Sequence, residues 1–109
     1  MALEEIKTLL ESTGIPFAYY QWDVGHAPPP PFGVYFLPES NFFYADDSIY
    51  LPKYVLVVEI YTCKKDFLLE RKLERVLREK QLLYQKYEAY IDEEKLYQIR
   101  YDMEVIIDD

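Results

Sequence analysis

Along the first ten residues Leu3, Ile6, Leu9 and Leu10 recur at the spacing of one helical face. Glu4 and Glu5 suit the positive end of that helix, and Gly14 followed by Pro16 stops it, so the pattern predicts a first helix over about residues 2–13. The aromatic run of "IPFAYYQW" predicts a strand from Phe17 to Trp22, bounded by Pro16 and by a loop from Asp23 to Pro31. After the prolines, "FGVYFLP" has strand composition and stops at Pro38. "ESNFFYADDS" carries turn residues at Ser40–Asn41 and Asp46–Ser48, with Phe42, Phe43 and Tyr44 between them in a connection.

The alternation resumes in "IYLPKYVLVVEIYT", where Pro52 limits pairing and places the regular part after Lys53. Tyr54, Leu56, Val58 and Ile60 share one face, and Val55, Val57, Glu59 and Tyr61 share the other. Both faces are largely apolar, which predicts a central strand. Asp66 is placed to cap a second helix, "FLLERKLERVLREK", with an apolar stripe at Leu69, Leu73, Val76 and Leu77 and an i,i+4 pair, Glu74 and Arg78, on its outer side. "LLYQKYEAYI" and "KLYQIRYDMEVII" flank "DEE", the pattern of a hairpin, and Tyr97, Ile99, Tyr101, Met103 and Val105 mark the core face of the last strand. The order α-β-β-β-α-β-β predicts an α+β fold: a mainly antiparallel sheet of about four to five strands with two helices packed on one face. The length of 109 residues suits one domain spanning the whole chain.

Composition narrows the chemistry. Half the residues are hydrophobic and 17% are aromatic, which is core-forming rather than disordered. The formal charge of −8 works against any broad phosphate-binding surface, so specific nucleic-acid binding is not expected. The single cysteine, Cys63, allows no intramolecular disulfide and reads as an ordinary buried or half-buried thiol at a strand end. With His26 as the only histidine, neither a thiol nucleophile nor a zinc site has its usual context. The acidic groups of "YIDEEK" and "YADDS" lack calcium-loop spacing, and three glycines build no phosphate loop. No catalytic residue, cofactor or metal is therefore expected. The N-terminus lacks the pattern of a secretion signal and no apolar run reaches the roughly 20 residues of a membrane span, so cytoplasmic synthesis without membrane attachment is expected.

Surface features carry more. From Lys64 to Lys80 seven basic residues face four acidic ones, a basic helix on an acidic body. Arg71, Arg75 and Arg78 are then candidates for meeting an acidic surface, against the plainer reading of a solvated helix face. Trp22, Phe42, Phe43 and Tyr44 are candidate aromatic anchors, against packing over the sheet edge. His26 and the run Pro28, Pro29, Pro30 and Pro31 predict a stiff, extended arm leading into Phe32. The alternative, an interaction adaptor whose Pro28–Pro31 segment is a ligand for a proline-reading domain, lacks the usual flanking basic residue.

Taken in order, "GIPFAYYQW", "PPPPFGVYFLPESNFFYADDSIYLPKYVLVVEIYTCKKD", "FLLERKLERVLREK" and "YEAYIDEEKLYQIRYDMEVII" resemble the small tail-completion or tail-terminator (head–tail joining) proteins of long-tailed bacteriophages and prophages. The resemblance covers nearly the whole chain and rests on element order and on loose patterns such as "PPF-VY" and "AD-S-Y". It implies a non-enzymatic structural protein of the virion that assembles in the host cytoplasm as a ring of copies of itself, typically a hexamer. It further implies tail-tube and head-connector proteins as partners, at the head-proximal end of the tail. An acidic charge suits a ring through which DNA passes without sticking. No residue role is carried over from it.

Overall fold

The computed structural model describes the backbone of residues 1–45 and 49–108 and the side chains of residues 1–40 and 53–108. Its elements are α1 (Leu3–Glu11), β1 (Phe17–Tyr19), β2 (Phe32–Ala45), β3 (Ile49–Thr62), α2 (Phe67–Glu79), β4 (Tyr84–Ile91) and β5 (Leu96–Ile106). The element order is the predicted one, and the fold is α+β. The strands form one sheet in the order β1-β2-β3-β5-β4. Every neighbouring pair is antiparallel except β1 and β2, which run parallel. A parallel return needs about a dozen residues of connection, which is what the segment 20–31 supplies.

The apolar stripes of both helices close over one face of the sheet. Ile6 and Leu10 of α1 and Leu69, Leu73 and Leu77 of α2 meet Leu56, Val58 and Ile60 of β3 and Ile99, Tyr101 and Met103 of β5 in a single buried cluster. Each fully buried aliphatic side chain contributes about 1.5–3 kcal/mol relative to exposure, so this cluster is the main source of stability. β3 is central, between β2 and β5, as its two apolar faces require. Val57, on the face away from the helices, is as completely buried as Val58 beside it.

Several boundaries differ from the sequence reading. β1 stops at Tyr19 rather than Trp22 because Tyr20 adopts φ 69°, and Gln21 N–H turns back to donate to the Tyr19 carbonyl (2.8 Å). β2 does not stop at Pro38. The ladder shifts register between Phe36 and Glu39, which places the proline, with no N–H to donate, in an irregularity, and pairing then resumes. Ser40 and Asn41, expected in a turn, sit in the ladder opposite Tyr54 and Lys53. Phe42, Phe43 and Tyr44 lie within β2 rather than in a connection, and their side chains are outside the described residues, as is the predicted turn at 46–48. β3 starts at Ile49 with Pro52 inside the ladder opposite Phe42. Cys63 is exposed.

The pairing of β3 with β5 ends at Lys53 and Ile106. Beyond it, Ile49–Pro52 pair only with Phe42–Ala45, so a two-stranded ribbon prolongs the sheet, and the molecule measures 51 × 28 × 23 Å.

Gly33 marks a close approach between β1 and β2. It sits opposite Phe17, and a Cβ there would lie 2.3 Å from the Phe17 ring, which is itself only 2% exposed. Gly33→Ala is expected to destabilise the protein by about 1–3 kcal/mol, read as a lowered urea midpoint with an unchanged slope.

Candidate functional site

Helix α2 begins where the Asp66 carboxylate accepts a hydrogen bond from Leu69 N–H (3.0 Å), the predicted cap. Its three buried leucines set its rotation, and the two flanks of the helix then meet very different surroundings. On one flank stand Glu70, with a side chain 3% exposed, and Glu74. The Lys86 ammonium from β4 lies 2.7 Å from both carboxylates, and Lys65 lies 2.7 Å from Glu70. Lys65 also pairs with Glu88 of β4, and the Tyr101 hydroxyl donates to Glu74 (2.7 Å). The network ties α2 to the edge strand and to the middle of β5. The Glu74–Arg78 pair expected on the outer side is revised: Glu74 turns inward to bond Lys86 and Tyr101, while Arg78 still favours its ionised form through space.

The protonation of this network follows from its geometry. For Lys65 and Lys86, burial disfavours the charged form, yet hydrogen bonds to Glu70 together with Glu88 or Glu74 outweigh it and hold both above the ordinary lysine value. Burial likewise works against ionised Glu74, but Lys86 and Tyr101 hold it below the usual carboxylate value. Tyr101 is pushed upward, first by burial and then by its bond to Glu74.

On the opposite flank Arg71, Lys72 and Arg75 are exposed, and none takes part in an ion pair among the described residues. They line an open groove whose far wall is the end of α1, Thr13–Ile15, and Pro31. Leu68 stands in the groove 71% exposed. Gly14, at φ 97°, turns the chain out of α1 toward β1 and so places Ile15 at the groove.

The face of the sheet away from the helices carries the segment 20–22. Tyr20 packs on Phe36 (5.1 Å between ring centroids), Trp22 meets Phe32 edge-on (6.4 Å), and Phe32 stacks on Tyr61 (5.2 Å). Tyr61 O–H donates to Glu59 (2.8 Å) and accepts from Gln98 (2.8 Å). Burial is the main cause that pushes its hydroxyl up to about 12; Gln98 opposes the shift and Glu59 adds to it. Nearer the β4 edge the face turns polar, with Arg100 paired to Asp102 through two bonds (2.6 and 3.1 Å).

The candidate residues are thus dispersed. Arg71, Arg75 and Pro31 meet at the groove, while Arg78 is on α2 outside it. Trp22 is half-buried against Phe32, and His26 is exposed, its N–H closing a turn onto the Asp23 carbonyl (2.9 Å). Pro28 and Pro30 are half-buried, Pro29 and Pro31 are exposed, and the Pro30–Pro31 bond is cis. Phe42, Phe43 and Tyr44 belong to the ribbon at the other end of β2. Sequence reading missed Glu70, Lys65 and Lys86. The alternating Lys86 and Glu88 in "YQKYEAYI" was the available signal, but what those charges face is set by tertiary packing. Among the described residues no three His, Cys, Asp or Glu side chains converge as metal ligands, and no helix is long and apolar enough to cross a membrane.

No family model matches the chain, and no curated protein sequence matches it. Among solved structures, a chain from the virion of a native gene transfer agent particle has the same fold, with a TM-score of 0.52 and 9% identity. The match covers 92% of this chain and 84% of that one. At that identity the likeness is one of fold.

The network predicts a pH signature. Glu74, held below its ordinary 4.5, contributes stability that is present above that value and lost as pH falls through its folded pKa. Lys65 and Lys86, held above 10.5, contribute stability that is present below that value and lost as pH rises through theirs. Lys86→Met is expected to cost about 1–3 kcal/mol at neutral pH, less than a fully buried pair because Lys86 keeps 36% exposure. Urea unfolding followed across pH should show a smaller loss on acidification in Lys86→Met than in the unsubstituted protein.

Proposed function

We propose that this chain is a structural subunit of a phage-type particle. In the specific form of the reading it is a tail-completion or tail-terminator subunit that self-assembles into a ring at the head-proximal end of the tail and docks to the head connector. The observation that carries the reading is the fold shared across 92% of the chain with a component of a gene transfer agent virion. Three features of the chain support it. Among the described residues the ribbon formed by the ends of β2 and β3 has no third strand beside it, and an isolated two-stranded hairpin is marginal in water, so a neighbouring molecule is the natural source of its support. The aromatics of 20–22 and the open sheet face offer a broad surface rather than a reaction cleft. The charge is divided between a basic flank on α2 and an acidic remainder.

The adaptor alternative gains nothing from the fold. Pro28 and Pro30 are half-buried and Pro31 lines the groove, which suits a packed segment better than a free extended ligand.

In sedimentation and negative-stain imaging the purified protein should form rings, either by itself at high concentration or when mixed with tail tubes; a chain that stays monomeric and ignores tubes sinks the reading. Duplex DNA should bind weakly at physiological salt, since the body of the molecule is acidic.

A further inference from the structure

We infer that the β4–β5 turn of one copy seats in the α2 groove of the next, its acids against the basic flank, and that this head-to-tail contact joins the subunits. The inference deepens the ring reading above and rests on it.

The turn residues Asp92, Glu93 and Glu94 are all exposed, and none is in an ion pair among the described residues. The turn is tight: the Ile91 carbonyl accepts from both Glu94 N–H (3.2 Å) and Lys95 N–H (2.8 Å), and Lys95 adopts φ 56°. Three exposed carboxylates, followed by the exposed Lys95, are therefore carried on one hydrogen-bonded turn. The groove carries the opposite charge: Arg71, Lys72 and Arg75 are in no ion pair among the described residues and outnumber its one carboxylate, Asp66, which is held by Leu69 N–H, and Leu68, 71% exposed, adds apolar area that docking removes from water. Arginine in a groove of this kind suits a carboxylate because its fork donates two parallel bonds.

The placement of the two features selects a second copy as the occupant. The far wall of the groove lies where the chain enters β1 and β2, and the turn joins β4 to β5, so that wall and the turn belong to opposite edges of the sheet. Four strand spacings, roughly 19 Å, separate those edges, so a turn does not fold back into its own groove. Both stand at the same end of the strands: Phe32 pairs with Tyr61, Thr62 with Tyr97, and Ile91 with Leu96. Every copy then carries one unused donor and one unused acceptor at the same height on opposite sides. A contact of that kind is heterologous, and equal height favours closure into a ring over an open helix.

The test reverses the charges. One variant carries Asp92→Lys, Glu93→Lys and Glu94→Lys; another carries Arg71→Glu and Arg75→Glu. All five side chains are exposed, so circular dichroism and thermal midpoints serve to verify that both variants fold. In sedimentation velocity each variant alone should lose self-association, on the order of a hundredfold, because like charges then meet. The equimolar mixture, and the chain carrying all five substitutions, should regain it. Variants that associate as the wild type does overturn this interface and leave the ring reading standing. Loss without recovery in the mixture overturns the pairing of turn with groove. A wild-type chain that never associates, alone or on tail tubes, overturns the ring reading and this contact with it. A groove-reversed variant that assembles normally but loses binding to duplex DNA replaces the acidic turn by a phosphate backbone as the occupant.

Discussion

The buried ion network under α2 is the constraint from which the arrangement of the surface follows. Glu70 is almost wholly excluded from water, and an unpaired carboxylate in that position would be strongly destabilising, so Lys65 and Lys86 must both reach it. That requirement fixes the rotation of α2 about its leucine stripe and the height of β4 beside it. It also determines which side of a helix rich in both charges is left to solvent. Glu70 and Glu74 are consumed internally, Arg71, Lys72 and Arg75 are left at the groove, and Arg78 and Glu79 stay exposed outside it. A helix that reads as basic in sequence is thus divided in space into an acidic inner flank and a cationic groove wall.

The same network changes the character of the sheet edge. β4 is an edge strand with nearly all of its residues exposed, the kind of element that natural proteins protect with outward charges. Here Lys86 is turned toward the helix, and Lys65 from the connection before α2 reaches Glu88. Charge therefore adds to the ladder with β5 and to the packing of Tyr84 on Tyr101 and Tyr90 on Tyr97 in holding the edge in register. At the opposite edge β1 contributes only three residues, and close packing of Phe17 on Gly33 anchors them. Between these two lightly built edges β3 carries the weight, buried on both sides.

A division of labour results. The face under the helices holds the molecule together, the loop aromatics cover part of the other face, and the cationic flank of α2 has no ion-pair task among the described residues. Contacts of that kind are individually weak and become effective when repeated around an assembly, where each one forms only after its neighbours are in place. Electrostatic complementarity between an acidic turn and a basic groove orients encounter and rejects wrong registers more than it adds affinity.

Local physics was written plainly into the chain. Helical spacing at Ile6, Leu10, Leu69, Leu73 and Leu77, the Asp66 cap, the two apolar faces of β3 and the alternation from Ile99 to Val105 each follow from backbone periodicity, and these determine the element order and the α+β class. Proline and turn residues were less dependable. Pro38 and Pro52 proved to lie inside long strands, because a ladder tolerates a missing donor at an irregularity or where one side lacks a partner. Tyr20 ended β1 early through a backbone conformation that no pattern announces. What the tertiary structure alone decided is where charge ends up: that Glu70 and Glu74 turn inward, that Arg71 and Arg75 meet Pro31 across a groove, and that the acidic turn stands on the far edge. The reason is physical. Apolar burial is a property of each segment by itself, whereas the environment of a charge depends on which segment is brought against it.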